Sequence, residues 1–505
     1  MTDETTTEAT AQADGSAEGD HRQRPQSKAF REFIASDWTP RPGDLPAPLP
    51  AASYAAARRD ALSAQFPGQR LVVPAGELRT RSNDTDYRFR PHSAFAHLTG
   101  LGQDREPDAV LVLEPKDGGG HDAVLYFRPR AERDTEEFYA NARYGELWVG
   151  VRPSLEEIAA LTGIEARHLD ELADALRKDV GEGGLVVRVV RGADGSVEKV
   201  VIEAREAAAV TAEDAQSLDA ELARAVSELR LVKDEYEIGQ MELAVELTGK
   251  GFEDVVRALA EAVAHPRGER VVETVFESRA RREGNGVGYD TIAASGPHAC
   301  TLHWIRNDGE VREGDLILVD AGAEVDSLYT ADITRTIPVS GTFSEVQKLV
   351  YEAVLEAADA AFEVAVPGRR FKELHEAAMQ VIARKLVEWG FVPATVEQTL
   401  DKEGQFHRRW MVHGTSHHLG IDVHDCSQAR AEMYLDAEIR PGMVFTIEPG
   451  LYFTKDDLLV PQEWRGIGVR IEDDILVTQD GAVNLSAGIP RTVADIEAWM
   501  SRLRG

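Results

Sequence analysis

Acidic side chains stand inside or directly after the most apolar runs of this chain. In DLILVDAG, Asp320 ends a row of aliphatic residues, and in MVFTIEPG, Glu448 comes directly before Pro449 and Gly450. An unpaired carboxylate in an apolar environment costs several kcal/mol. A fold that buries these strands must therefore bring cations to the carboxylates.

Two further strand-like runs place polar side chains on single faces. Successive side chains of a β-strand point to opposite faces, so ADITRTIPV groups Asp332 with Thr334 and Thr336. In GVRIEDDILV the same rule puts Arg470 and Glu472 on one face. The sequence thus predicts that arginine and glutamate are delivered to a site together.

Histidines are concentrated in one segment. Of the fourteen histidines, His413, His417, His418 and His424 lie in WMVHGTSHHLGIDVHD. The glycines and β-branched residues of this segment argue against a helix and predict a loop with some strand. A single histidine is most often an ordinary hydrogen-bonded imidazole, whereas this cluster favours metal binding or catalysis.

Four carboxylates that converge on one site require compensating positive charge, and two divalent ions supply four charges. A donor set rich in oxygen with one imidazole suits manganese, cobalt or magnesium better than a structural zinc. We expect two divalent ions per chain, with manganese as the metal. Paired ions lower the pKa of a bridging water and polarise a carbonyl, which is the chemistry of hydrolysis.

Charge and composition exclude several functions. With 56 basic and 88 acidic residues among 505, the formal charge is −32, so binding to nucleic acid or to an anionic membrane surface is disfavoured. No apolar run approaches the roughly 18 residues of a membrane span. The acidic start of the chain lacks the features of a secretory signal, and two cysteines cannot form a disulfide framework, so we expect a cytoplasmic protein.

The chain is predicted to have three parts. Residues 1–45 are polar and are expected to form a disordered tail. Residues 46–225 alternate short β-like runs, such as RLVVPAG, with helical patterns, which indicates a smaller α/β domain. Residues 226–505 combine long helices with the strand-like runs described above, so the expected fold class is α+β.

The chain resembles the aminopeptidase P family in an ordered set of segments, which are HW at His303, DAG at Asp320, ADITRT around Asp332, HGTSHHLGIDVHD from His413, TIEPGLY around Glu448 and RIEDD around Glu472. NDTDYRFRPHSAFAHLTGL and ELWVGVRPSLEEI resemble the amino-terminal domain of the family more loosely. The resemblance implies a C-terminal pita-bread catalytic domain preceded by a smaller α/β domain.

The same resemblance implies roles for individual residues. The five metal ligands would be Asp320, Asp332, His417, Glu448 and Glu472. Asp332 and Glu472 would bridge the two ions, His417 and Glu448 would complete one ion, and Asp320 the other.

Other residues would surround the ions. His303, His413 and His424 would contact the substrate and move protons, and Glu448 would have a second role as a general base. Tyr452 and Arg470 would brace the site. Asp320 and Asp332 are twelve residues apart, one more than the spacing associated with the family, and an insertion in the turn of a hairpin would accommodate this without moving either carboxylate.

The function implied is that of an Xaa-Pro aminopeptidase, in which a metal-bridging hydroxide attacks the carbonyl before a proline in the second position. Two alternatives share the fold: an Xaa-Pro dipeptidase (prolidase), and a non-catalytic pita-bread binding protein, although such proteins usually lose metal ligands and all five are present here. The expected partners are a peptide substrate and further copies of the chain in a dimer or tetramer.

Overall fold

The computed structural model describes residues 25, 27–103, 105–181 and 183–505. Its α-helices are α1 (Lys28–Ala35), α2 (Ala52–Ser63), α3 (Ser93–Thr99), α4 (Glu136–Ala140), α5 (Glu146–Val149), α6 (Leu155–Thr162), α7 (Leu172–Arg177), α8 (Gly195–Ala207), α9 (Ala212–Glu228), α10 (Glu235–Ala264), α11 (Gly268–Glu283), α12 (Glu345–Glu363), α13 (Lys372–Glu388), α14 (Val396–Leu400) and α15 (Val493–Arg504). None of the helices in these ranges is long and apolar enough to span a membrane.

The strands are β1 (Arg70–Pro74), β2 (Thr80–Ser82), β3 (Thr85–Asp86), β4 (Val110–Pro115), β5 (His121–Phe127), β6 (Glu165–His168), β7 (Val187–Val189), β8 (Gly286–Val287), β9 (Ile292–Ser295), β10 (Leu316–Ala321), β11 (Ala323–Glu324), β12 (Ile333–Pro338), β13 (Val444–Ile447), β14 (Gly450–Phe453), β15 (Ile467–Arg470), β16 (Asp473–Thr478) and β17 (Gly481–Asn484). The mixture of helix and sheet agrees with the predicted α+β class.

The described residues form two compact units. One contains the residues up to Leu45 together with Pro129–Glu157, and the other contains Pro46–Arg128 and Ile158–Gly505. In the first unit, Ser27 caps α1 by accepting a hydrogen bond from the backbone of Phe30. Residues 1–24 and 26 of the predicted tail lie outside the described residues, and the rest of that tail includes α1. The boundaries at 45/46 and 225/226 stay a prediction.

A five-stranded sheet in the order β6-β5-β4-β1-β7 organises the amino-terminal part of the second unit. The predicted strand RLVVPAG forms β1, which is completely buried between β4 and β7. Aliphatic side chains from this sheet pack against α7 and α8, and the β-branched valines among them favour strand structure.

The carboxy-terminal part carries the strands in which the candidate site lies. A three-stranded sheet has the order β12-β10-β9, with Asp320 of β10 opposite Thr334 of β12. A second sheet has the order β13-β16-β17, and β14 pairs with β15. The long helices α10 to α13 pack their apolar faces in the same hydrophobic core as these strands.

A buried carboxylate at the start of α10 is expected to make the folding stability of the protein decrease at acidic pH. Glu237 is 2% exposed and accepts a hydrogen bond from Tyr329. Burial alone would raise its pKa, but His97 and the guanidinium of Arg58 hold the pKa of Glu237 at about 2. In the unfolded chain the pKa of glutamate is about 4.3.

We therefore expect the stability contributed by ionised Glu237 to be complete above about pH 4.3 and to be lost as the pH falls toward 2, since the unfolded state then binds more protons. Melting temperatures measured between pH 2 and 7 check this. Glu237→Gln is expected to lower stability at pH 7 and to flatten the decline below pH 4.3. An equally steep decline in the variant would contradict the assignment.

Candidate metal centre

Two aspartates meet because β10 and β12 are neighbours. Asp320 lies on β10, and Asp332 directly precedes β12, which pairs with β10 in antiparallel register. The Tyr289 hydroxyl lies 2.6 Å from Asp320 Oδ1 and 2.5 Å from Asp332 Oδ1. The connection contains β11 and a turn at Leu328 with φ of 73°. The turn between them thus accommodates the twelve-residue spacing while both carboxylates reach the same hydroxyl.

Glu472 and Arg470 enter the site from the junction of β15 and β16. Arg470 donates from Nη2 to Asp320 Oδ2 at 2.5 Å and from Nε to Thr334 Oγ1 at 3.2 Å. The same threonine hydroxyl donates to Glu472 Oε2 at 2.7 Å. Arg470 and Glu472 thus both reach the hydroxyl of Thr334, although Glu472 lies between the two strands rather than on one strand with Arg470.

His417 lies on a loop that runs along β13, and Glu448 directly follows this strand. The backbone amide of Thr446 donates to the carbonyl of His417, and the amide of Glu448 donates to the carbonyl of Thr415. His417 Nε2 lies 3.3 Å from Asp332 Oδ2 and 3.5 Å from Glu448 Oε1. As predicted, the segment is a loop, with one β-bridge from His418.

Potential ligand atoms of Asp332, His417 and Glu472 lie within 4.8 Å of one another. Asp320 and Glu448 join the same cluster through the contacts described above, Asp320 through Tyr289 and Arg470 and Glu448 through His417. The structure therefore brings all five predicted ligands together.

Electrostatics indicate a cluster that lacks positive charge. Burial and the charges of Asp332 and Glu448 raise the pKa of Glu472 well above its usual range. Burial likewise raises the pKa of Glu448 to about 7, although His417 and Arg470 oppose the shift. Carboxylates held this way are stabilised in their ionised form by cations in direct contact.

The pKa of the imidazole in the cluster is also raised, which favours its charged form. Burial opposes its charged form, yet hydrogen bonding to Asp332 and the charge of Glu448 raise the pKa of His417 to about 9. Four carboxylate groups and one imidazole are donors that divalent manganese, cobalt or magnesium accept. The residues present therefore fit divalent metal ions.

The three outer histidines surround this cluster. His413 Nε2 lies 2.7 Å from the hydroxyl of Tyr452, which also accepts a hydrogen bond from Arg470 Nη1 at 3.1 Å. Burial and the Arg470 cation lower the pKa of His413 to about 3, so this imidazole is neutral. The rings of His424 and His417 meet edge to face with centroids 4.5 Å apart. His303 is exposed and close enough to lower the pKa values of His413 and His424.

Sequence reasoning missed two polar groups of the site. Tyr289 lies in the connection between β8 and β9, next to the closely spaced glycines of GNGVGYD, and no local pattern distinguishes it from other tyrosines. Asp474 is completely buried, and its Oδ2 accepts the backbone amide of Asp332 at 3.2 Å. The Asp474 carboxylate thus fixes the backbone at a predicted ligand.

Tyr289→Phe is expected to weaken metal binding and activity by about 10–100-fold, the usual cost of losing a group that orients metal ligands. The variant removes the hydroxyl that contacts both aspartates and leaves the ring volume unchanged. Metal titration followed by assay of each loaded protein measures the effect. Unchanged affinity in the variant would mean that the hydroxyl does not orient the aspartates.

Comparison with known proteins identifies the family. Residues 239–479 match metallopeptidase family M24, and residues 55–186 match the aminopeptidase P N-terminal domain. Xaa-Pro aminopeptidase 1 of Streptomyces coelicolor is 54% identical over 91% of this chain and 89% of its own length. The chain belongs to the aminopeptidase P family. It is therefore a metallopeptidase, a hydrolase that uses divalent metal ions.

Solved structures of aminopeptidase P agree with this assignment. A variant of the Escherichia coli enzyme has a TM-score of 0.78 and 32% identity, and covers 90% of this chain and 99% of its own. Pseudomonas aeruginosa aminopeptidase PepP has a TM-score of 0.77 and 34% identity, with coverage of 90% and 99%. The predicted family and the predicted fold, a pita-bread domain preceded by a smaller aminopeptidase P domain, are confirmed.

Proposed function

We propose that this chain is an Xaa-Pro aminopeptidase that removes the amino-terminal residue from peptides with proline in the second position. The observation that carries the proposal is the meeting of Asp332, His417 and Glu472 with two further carboxylates in one buried cluster. The 54% identical Streptomyces coelicolor relative, itself an Xaa-Pro aminopeptidase, supports the same activity.

The proposed centre holds two divalent ions, with manganese as the metal. Asp332 and Glu472 would help to hold both ions, His417 and Glu448 would help to hold one of them, and Asp320 the other. Support comes from the short distances between these side chains and from the raised pKa values of the buried carboxyl groups. When bound, such ions supply a water of lowered pKa and polarise the scissile carbonyl.

Side chains of the protein transfer protons and contact the substrate. Glu448 accepts a proton from the attacking water, and His424 donates a hydrogen bond to the oxygen of the carbonyl before proline. His413, neutral and hydrogen-bonded to Tyr452, and the exposed His303 contact the substrate around this carbonyl.

Arg470 connects several parts of the site through hydrogen bonds. Its guanidinium contacts Asp320, Thr334 and Tyr452, so one side chain fixes a ligand, a strand and the partner of His413. The free amino group of the substrate is positively charged and is attracted by the surrounding carboxylates, which favours cleavage at peptide ends.

The cellular location, the oligomeric state and the domain boundaries of the enzyme are also proposed. We place it in the cytoplasm, where its two unpaired cysteines, Cys300 and Cys426, remain reduced. We also propose a homo-oligomer, a dimer or tetramer, and three chain segments with boundaries near residues 45 and 225. Sedimentation and limited proteolysis test the oligomer and the boundaries.

The decisive experiment compares one tripeptide with proline second, the corresponding Xaa-Pro dipeptide, and a tripeptide without proline. Protein stripped by a chelator is assayed before and after addition of manganese, and bound metal is counted by elemental analysis. We expect activity on the proline tripeptide that depends on added metal, with about two ions per chain. Strong preference for the dipeptide would favour a prolidase. Absence of cleavage with the ions bound would support the non-catalytic alternative.

A further inference from the structure

One buried carboxylate outside the metal centre organises the segment that carries His303. Glu269, in the first turn of α11, is completely buried, with an exposed fraction of 0%. Its Oε1 accepts the backbone amide of Ser295 at 2.8 Å and contacts His298 Nδ1 at 2.7 Å. Its Oε2 accepts Trp304 Nε1 at 2.8 Å and the backbone amide of Gly309 at 2.7 Å.

The four partners of Glu269 lie on both sides of His303 in the sequence. The partners come from residues 295–309, and the indole that binds the carboxylate belongs to the residue directly after His303. The Trp304 ring also stacks on His298 with centroids 3.9 Å apart. A second anchor, Asn307, donates to the carbonyl of Thr291 and accepts the amide of Ala293. The exposed imidazole is therefore carried by a turn that is tied down on both sides.

The packing around the carboxylate leaves little room for adjustment. A Cβ atom on Gly309 would lie 2.6 Å from Glu269 Oε2 and 2.7 Å from a ring atom of His298. The backbone amide of Glu269 also donates to the carbonyl of Gly309 at 3.2 Å. Helix α11 and the end of the turn are thus joined by hydrogen bonds in both directions.

We propose that Glu269 is a positioning residue for catalysis, which sets the location of His303 through the turn of residues 295–309. The inference rests on the proposed function, because it requires that His303 contact the peptide. Each carboxylate oxygen accepts two donors, so a neutral amide of the same shape cannot replace it. In Glu269→Gln one carboxylate oxygen is replaced by an NH2 group, which cannot accept a hydrogen bond. At least one buried backbone or indole N–H then loses its acceptor.

The test is a double-mutant cycle of Glu269→Gln and His303→Ala, assayed on a proline-containing tripeptide with the metal-loaded full chain. Misplacement of a substrate-contacting group costs up to about 10²-fold, and we expect a loss of that order in kcat/KM for each single variant. In the double variant, Glu269→Gln is expected to add no more than about a twofold loss to that of His303→Ala. Equal effects of Glu269→Gln in both backgrounds would overturn the inference.

A second variant guards against loss of folding. Trp304→Phe removes one donor, leaves Glu269 in place, and is expected to cause a smaller loss that also disappears in the His303→Ala background. Glu273→Gln, one turn further along α11, is the matched control and should match the wild type. A loss in Trp304→Phe that persists without His303 would again overturn the inference.

A readout independent of activity separates this inference from the proposed function. The indole N–H resonance of Trp304, assigned with Trp304→Phe, is expected downfield in the wild type and shifted upfield in Glu269→Gln. An unshifted resonance would contradict the contact. Wild-type protein that cleaves no proline peptide although this resonance behaves as expected would overturn the proposed function, and with it the catalytic role of Glu269.

Discussion

Replacement of Glu472 by glutamine is expected to lower kcat/KM for a proline tripeptide by at least about 10³-fold while raising the melting temperature of the metal-free protein. Substitution of a group that only contacts a metal ligand costs about 10–100-fold, and loss of a ligand proposed to bridge two ions should cost more. The opposite effect on stability has an electrostatic origin.

Without ions, the carboxylates of the centre repel each other in a buried environment. Glu472 is 2% exposed, and burial with the charges of Asp332 and Glu448 raises its pKa far above that of a free glutamate. An amide keeps the shape, can still accept the hydrogen bond from Thr334, and avoids the cost of either burying a charge or binding a proton on folding. Function and stability therefore oppose each other at this position, as they do at other strained sites.

Calorimetry with and without a chelator, together with elemental analysis, measures both effects. The wild type should gain more stability from manganese than Glu472→Gln does, because a ligand that binds only the folded state stabilises it. Glu310→Gln, at an exposed carboxylate, is the control for the substitution itself. A metal-free variant less stable than the wild type would refute the repulsion argument.

Asp425→Ala is expected to destabilise the protein by about 3–5 kcal/mol, the usual cost of breaking a buried ion pair. Asp425 Oδ1 accepts Arg230 Nε at 2.8 Å, and Oδ2 lies 3.2 Å from Lys233 Nζ. The side chains of Asp425 and Lys233 are 1% and 0% exposed. Removal of the carboxylate leaves two cations buried with much less compensation.

Urea unfolding of the variant and of the wild type measures this difference. The exposed pair of Glu310 and Arg312 provides the matched control, and Glu310→Gln should change stability by less than about 1 kcal/mol. Because Asp425 directly follows His424, the destabilised loop should also lose activity. A change in Asp425→Ala as small as in the control would mean that the buried cations find other partners.

The convergence of the side chains in the metal centre follows in part from local patterns, whereas their roles as ligands came from the resemblance to a family. Asp332 directly precedes β12, and Thr334 within this strand contacts both Arg470 and Glu472, which the alternation rule had grouped on one face. The loop character of the histidine segment followed from its glycines. In each case the pattern that supports the prediction lies within a few residues of the side chain concerned, so the sequence alone is sufficient to predict the local structure.

The supporting groups could not be predicted, because their partners are distant in the sequence. Glu269 is one acidic residue among many on a helix, and its role depends on amides 26 and 40 positions away. Arg230 reaches Asp425 across 195 positions. Only tertiary packing distinguishes such a residue from the solvated charges of the surface.

The Tyr289 hydroxyl carries a single hydrogen, yet it lies within hydrogen-bond distance of an oxygen from each of two aspartates. One hydroxyl group therefore links the carboxylate on β10 to the carboxylate that precedes β12. A displacement of either aspartate would be transmitted to the other through this oxygen, so the two side chains are expected to move as a unit.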